Sequence, residues 1–255
     1  MGDRAAMEAF AAATLEMSRR ARQRKFYEVF PEETVYAPDG SVAVTGEGEN
    51  AVPLWSRHLY PRQMEFFEAS SRYRELAFQA ANRVGKTVAG VFAQTNWLTG
   101  DYRPWWPGRR FEGPVKIWAA GKSNETTRDM LQMALLGPVV GSGPNKGVEG
   151  TGMVPGRLIG KISWKSGVSD LVDTVKIRHV SGMWSSLSFK SYEQGRGAFE
   201  GTAVHVVHLD EEPDMDVYGE CITRTATTGG LIMLTYTPLL GISNTVKQFM
   251  PQAAA

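Results

Sequence analysis

Short apolar runs alternate with glycine-bearing turns and helix-period segments along most of the chain. "ELAFQAA" (75–81), "PVKIWAAG" (114–121), "AVHVVHLD" (203–210) and "GLIMLTYTP" (230–238) are mostly apolar and of strand length. Runs of this kind suit strands buried on both faces. Helices are predicted from Lys86 to about Leu98, over 123–137 with Ser123 or Asn124 as cap, and over 216–226. "TVKIRHVS" (174–181) and "SSLSFKSY" (185–192) read as a strand pair around "GM". Apolar strand, turn and helix in repetition predict an α/β fold with a mainly parallel central sheet flanked by helices. Ligands of such sheets bind at the carboxyl ends of strands.

The N-terminal pattern differs. Residues 3 to about 28 form one long helical candidate, with Ala6, Phe10, Leu15 and Met17 recurring on it and "SRRARQRK" (18–25) at its end. That basic end is either a solvated helix terminus or a contact for a partner or DNA phosphate. Residues 31–53 carry turn chemistry with room for one short hairpin. A boundary is therefore expected between an N-terminal helix and loop arm (1–57) and a core (58–255). The glycine-rich stretch 138–160 is expected to be mobile.

Composition narrows the classes. The chain has 255 residues, of which 42% are hydrophobic, enough for one large α/β domain or two small ones. Its 28 basic and 27 acidic residues give a net charge of +1, so any nucleic-acid contact needs a local basic surface. The single cysteine, Cys221, excludes an intramolecular disulfide and fits a reducing compartment. His205 and His208 lie in an apolar run and read as core packing. No run is long enough to span a membrane, and the N-terminus lacks a signal-peptide layout.

The chemistry gathers at predicted strand ends. After the first strand comes "AANRVGKT" (80–87), a phosphate loop whose usual leading glycine is Ala80. Ala80, Asn82, Arg83, Val84 and Gly85 would wrap the phosphates with backbone N–H groups. Lys86 would reach the β- and γ-phosphates, and the Thr87 hydroxyl would ligate Mg²⁺. "HLDEEP" ends the second motif. Asp210 is a candidate Mg²⁺ acid, and Glu211 is a candidate base for the attacking water. Glu212 and Asp214 read as surface or capping acids. "LTYTP" places Thr235, Tyr236 and Thr237 at a third strand end, where a hydroxyl can sense the γ-phosphate or the catalytic water and couple hydrolysis to motion. Upstream, Gln63 offers an amide that matches adenine's Hoogsteen edge and Tyr60 a ring to stack on it. The alternative is a helix start with Phe66 and Phe67 packed inward. Arg83 and Arg128 are candidate charge-stabilising arginines, in cis or towards a neighbouring subunit. Arg196, between glycines, is either a phosphate or DNA contact or a loop residue.

Tyr60-Pro61 with Gln63, "AANRVGKT", "VVHLDEEP" and "LTYTPLLG", in this order, resemble the ATPase domain of the large terminase subunit of tailed bacteriophages. The likeness runs from about Leu59 to Gly241. It implies a P-loop NTPase of the additional-strand, catalytic-glutamate type, with ATP and Mg²⁺ as ligands. It also implies double-stranded DNA, a portal protein and a small terminase subunit as partners. A homo-oligomeric ring, usually taken as a pentamer, would work on the capsid in the host cytoplasm. The family often carries an arginine in the loop and tolerates a non-glycine start, so Ala80 and Arg83 fit it. Family members usually continue into a nuclease domain. This chain ends in "MPQAAA" soon after the third motif, so DNA cleavage is not expected of it. A helicase-like remodeller and a non-hydrolysing assembly module are the competing readings.

Overall fold

A computed structural model describes residues 23–46, 48–238 and 243–250, together with Met7, Phe10 and Thr14. Most of the N-terminal helix expected over 3–28, and residues 239–241 of "TYTPLLG", lie outside the described residues. A single helical turn, Lys25–Glu28, is described.

Seven strands form the central sheet. They are β1 Glu75–Gln79, β2 Lys116–Gly121, β3 Ile159–Trp164, β4 Val172–Arg178, β5 Trp184–Ser191, β6 Val206–Asp210 and β7 Leu231–Tyr236. Their spatial order is β1-β7-β6-β2-β5-β4-β3. The first five are parallel. β5-β4 and β4-β3 are antiparallel, which includes the expected pair around Gly182-Met183. β7 stands between β1 and β6. This is the additional strand of the expected class, and it keeps the acid strand from lying directly beside the loop strand.

Side-chain alternation divides the core between the two faces of the sheet. Ile117 and Ala119 of β2, with Leu231 and Met233 of β7, join one cluster. Trp118 and Ala120, with Ile232, Leu234 and Tyr236, join the other. The first face is covered by α1 (Pro61–Arg72) and α2 (Lys86–Thr99), the second by α4 (Met215–Ala226). α1 opens on proline, whose missing N–H costs nothing at a first turn. α3 follows β2 and is compound: Asn124–Thr126, a π segment Thr127–Gln132, and Met133–Leu136. Ser123 and Thr126 cap it reciprocally.

Two expectations change. Residues 23–57 do not stand apart from the body. Phe26, Val29 and Phe30 are buried in the first cluster, and Phe30 packs edge-on against Tyr60, Phe67 and Phe92. The one short hairpin expected there is present, Val44–Thr45 against Val52–Pro53. The glycine-rich stretch 138–160, expected to be mobile, is tied down. Met153 and Val154 are fully buried and donate backbone bonds to Ala134 and Leu135. Gly152 permits this approach, since a Cβ there would lie 2.4 Å from the Leu135 backbone. Its last residues start β3, a strand the pattern did not predict.

Candidate functional site

A cavity of about 820 Å³ opens at the carboxyl ends of β1, β2 and β6. Asn82 to Thr87 line one side, and Asp210 and Glu211 face them. Gly121, Lys122, Thr126 and Met130 add a third side. The fourth wall is Val29, Phe30, Val52, Pro53, Tyr60 and Gln63. Sequence reasoning missed most of that wall, because it assigned residues before 58 to a separate arm.

The loop turns into α2 through Gly85, which caps the helix in the left-handed conformation at φ 82°. Lys86 is buried, and its Nζ donates to the Ala80 and Ala81 carbonyls at 2.9 and 2.7 Å and to Thr237 Oγ1 at 2.9 Å. Burial lowers its pKa, while Glu211 and Asp210 pull the other way. Thr237 in turn donates to Asn82 Oδ1 at 2.7 Å. The third motif is thereby tied to the loop through Thr237. Ala80 contributes its carbonyl to Lys86 but does not line the cavity. Gln63 is buried and donates to the Val84 carbonyl at 2.8 Å. The amide expected to read adenine is engaged in holding the loop.

The acids differ from each other. Asp210 Oδ1 accepts from Thr235 Oγ1 at 2.6 Å. Burial pushes its pKa up to about 6, opposed by the Thr235 bond and reinforced by Glu211. Glu211 is exposed to the cavity, and its backbone is left-handed at φ 74°. Its N–H donates to the Thr235 carbonyl at 2.8 Å. Tyr192 stabilises this turn, its hydroxyl lying 3.2, 3.1 and 3.0 Å from the carbonyls of Ala120, Asp210 and Glu211. No motif pointed to Tyr192. Thr235 is fully buried beneath Asp210 and is not among the residues that line the cavity.

The arginines separate. Arg83 is exposed in the cavity, left-handed at φ 62°, with no hydrogen bond or ion pair among the described residues. Arg128 is turned away from the cavity. Its guanidinium forks onto Asp129 at 2.7 and 3.1 Å and reaches the Ser169 carbonyl at 3.2 Å. Arg196 pairs with buried Glu220 at 2.9 Å, which Arg224 also holds at 2.7 Å. It serves the fold there. His205 is half-buried, its Nδ1 accepting from Lys116 N at 3.0 Å. His208 is fully buried, and burial pushes its pKa down to about 3.

Among the described residues, four non-glycine positions adopt positive φ: Phe30, Arg83, Asp170 and Glu211. Three of them line this one cavity. Backbone strain of about 1–3 kcal/mol per residue concentrates at functional sites.

Residues 77–253 match the family model described as "Terminase large subunit, T4likevirus-type, N-terminal". The chain belongs to this family. The match spans the phosphate loop, the acid pair and the third motif, while Tyr60 and Gln63 precede it. The chain is also 35% identical over 210 residues to the terminase large subunit of Salmonella phage P22, covering 75% of this chain and 41% of that relative. It thus spans less than half the relative's length. Among solved structures, the large terminase of a thermophilic bacteriophage aligns at 12% identity and TM-score 0.46, over 69% of this chain and 38% of its own. The large terminase ATPase domain of Thermus phage P74-26 aligns at 12% and 0.46, over 68% and 63%.

Proposed function

We propose that this terminase-family chain binds ATP with Mg²⁺ in the described cavity and hydrolyses it to drive double-stranded DNA into a viral capsid. The observation that carries this reading is the convergence on one cavity of a phosphate loop, two acids of different character and three strained residues. The start of α2 and the loop N–H groups bind the phosphates. Lys86 exchanges the Ala80 and Ala81 carbonyls for phosphate oxygens. The Thr87 hydroxyl has no hydrogen bond among the described residues, and Thr87 lines the cavity with Asp210. Two hard oxygen donors fit Mg²⁺, which keeps much of its water. When bound, the cation neutralises charge on the β- and γ-phosphates.

Glu211 takes a proton from the water whose oxygen attacks the γ-phosphorus. The bond from that phosphorus to the bridging oxygen breaks, leaving ADP and inorganic phosphate. Arg83 supports the charge that develops on the transferring group. Arg128, paired with Asp129, is left to a role towards a neighbouring subunit. Tyr60, Val52 and Pro53 face the base, and Gln63 holds the loop. Thr235 and Thr237 couple the site to β7, Thr235 through Asp210 and Thr237 through Lys86. The working assembly in this reading is a homo-oligomeric ring on the portal in the host cytoplasm, assisted by a small terminase subunit.

Phosphate release with and without double-stranded DNA tests the reading. Wild type is expected to turn over, and Glu211→Gln to bind ATP while losing about 10²- to 10⁴-fold in kcat. Turnover that survives in Glu211→Gln overturns the base assignment. No turnover by wild type, with DNA and partners present, overturns the motor.

A further inference from the structure

Behind the acid pair, a buried polar path continues past Thr235 to two residues, His208 and Gln94, that have no role in the reading above. Thr235 Oγ1 donates to Asp210 Oδ1 at 2.6 Å, and His208 Nε2 lies 2.8 Å from the same hydroxyl. His208 Nδ1 lies 2.7 Å from Gln94 Nε2 on α2. Gln94, His208 and Thr235 are all fully buried. A hydroxyl has one hydrogen, and here Asp210 takes it. His208 Nε2 must therefore be the donor to Thr235, and Nδ1 the acceptor from Gln94.

We propose that His208 is a positioning residue for the cation: it aims the Thr235 hydroxyl at Asp210 and ties that acid to the helix that carries Lys86 and Thr87. The proposal rests on the ATP–Mg²⁺ reading above. Two further observations support it. Gly90 sits inside α2, where glycine costs about 1 kcal/mol relative to alanine. A Cβ there would lie 2.6 Å from His208 Cε1 and 2.8 Å from Nε2, so the glycine admits the imidazole. Gln94 Oε1 is buried without a hydrogen-bond partner among the described residues. What the imidazole adds is a fixed donor behind a metal acid, and loss of such outer partners typically weakens metal binding about 10- to 100-fold.

Asparagine and glutamine separate the two ring nitrogens, since the amide of Asn reaches the Nδ1 position and that of Gln the Nε2 position. Affinity for a fluorescent ATP analogue is measured in Mg²⁺ and in EDTA, alongside thermal unfolding. Wild type is expected to gain affinity with Mg²⁺. His208→Asn should lose about 10-fold or more of that gain with its EDTA affinity unchanged, and His208→Gln should keep it. Thr235→Val should reproduce His208→Asn, with the double variant no worse than either. Gly90→Ala supplies a route that leaves the polar groups intact: helix propensity predicts stabilisation, whereas a displaced imidazole predicts loss of the Mg²⁺ gain. If His208→Asn and Gly90→Ala keep the full gain, His208 only packs and the proposal is wrong. If wild type binds the analogue in neither condition, the ATP reading falls and this inference with it.

Discussion

Glu211 is held left-handed by its N–H bond to Thr235 and by Tyr192 against its carbonyl. Glycine adopts this conformation without strain. Glu211→Gly should therefore raise the free energy of unfolding by up to about 1 kcal/mol while abolishing turnover, as urea denaturation and phosphate release would record. Lys25 gives a second test at this scale. It is buried, its ammonium donates to the Asn50 carbonyl at 2.5 Å, and burial pulls its pKa down to about 8. The unfolded chain keeps that proton up to about 10.5. Between pH 8 and 10.5 the unfolded state binds more protons, so this group makes stability rise with pH, by up to about 1.4 kcal/mol per unit. Lys25→Met should be the more stable form at pH 8, and its advantage should shrink by pH 10. At this scale the cavity lining was legible where a residue's position in the chain fixes its place. Gly85, Lys86, Thr87, Asp210 and Glu211 follow strand ends by local rules, and all line the cavity. The partners of Gln63 and Arg128, Val84 and the Asp129–Ser169 pair, are set by packing and not by motif, so the sequence did not show them.

Among elements, the strands with continuous apolar runs were read within a few residues, since burial on both faces leaves no other pattern. β3 was missed because its "IGKISW" is only partly buried and follows a glycine-rich segment. The π segment of α3 was also invisible, because one widened turn leaves no periodicity over six residues. Tyr192 lies beyond the end of β5 and reaches Ala120, 72 residues away, so no local signal marks it. Its hydroxyl holds the ends of β2 and β6 together. Tyr192→Phe should cost about 1–2 kcal/mol in urea unfolding and lower kcat with little change in the Kd for ATP. An unchanged kcat would limit Tyr192 to the fold.

On the scale of the whole molecule, residues 26–30 and the helix that follows the phosphate loop share one core. Phe26 is fully buried and packs on Phe92 of α2 at 5.4 Å. Phe26→Ala should cost about 3–5 kcal/mol and weaken nucleotide binding as well, because Val29 and Phe30 line the cavity a few residues on. Thermal shift with and without ATP checks both effects. The placement of β7 between β1 and β6 has a consequence for ligand choice. It sets the loop strand and the acid strand two strand spacings apart, about 9.6 Å. On the proposed ATP reading the site would act as a length gauge: a diphosphate on the loop would end short of Glu211, and a triphosphate with its water would close the distance. Glu211→Gln should accordingly change affinity for ATP and leave affinity for ADP alone, so that the spent fuel is told from the fresh by reach.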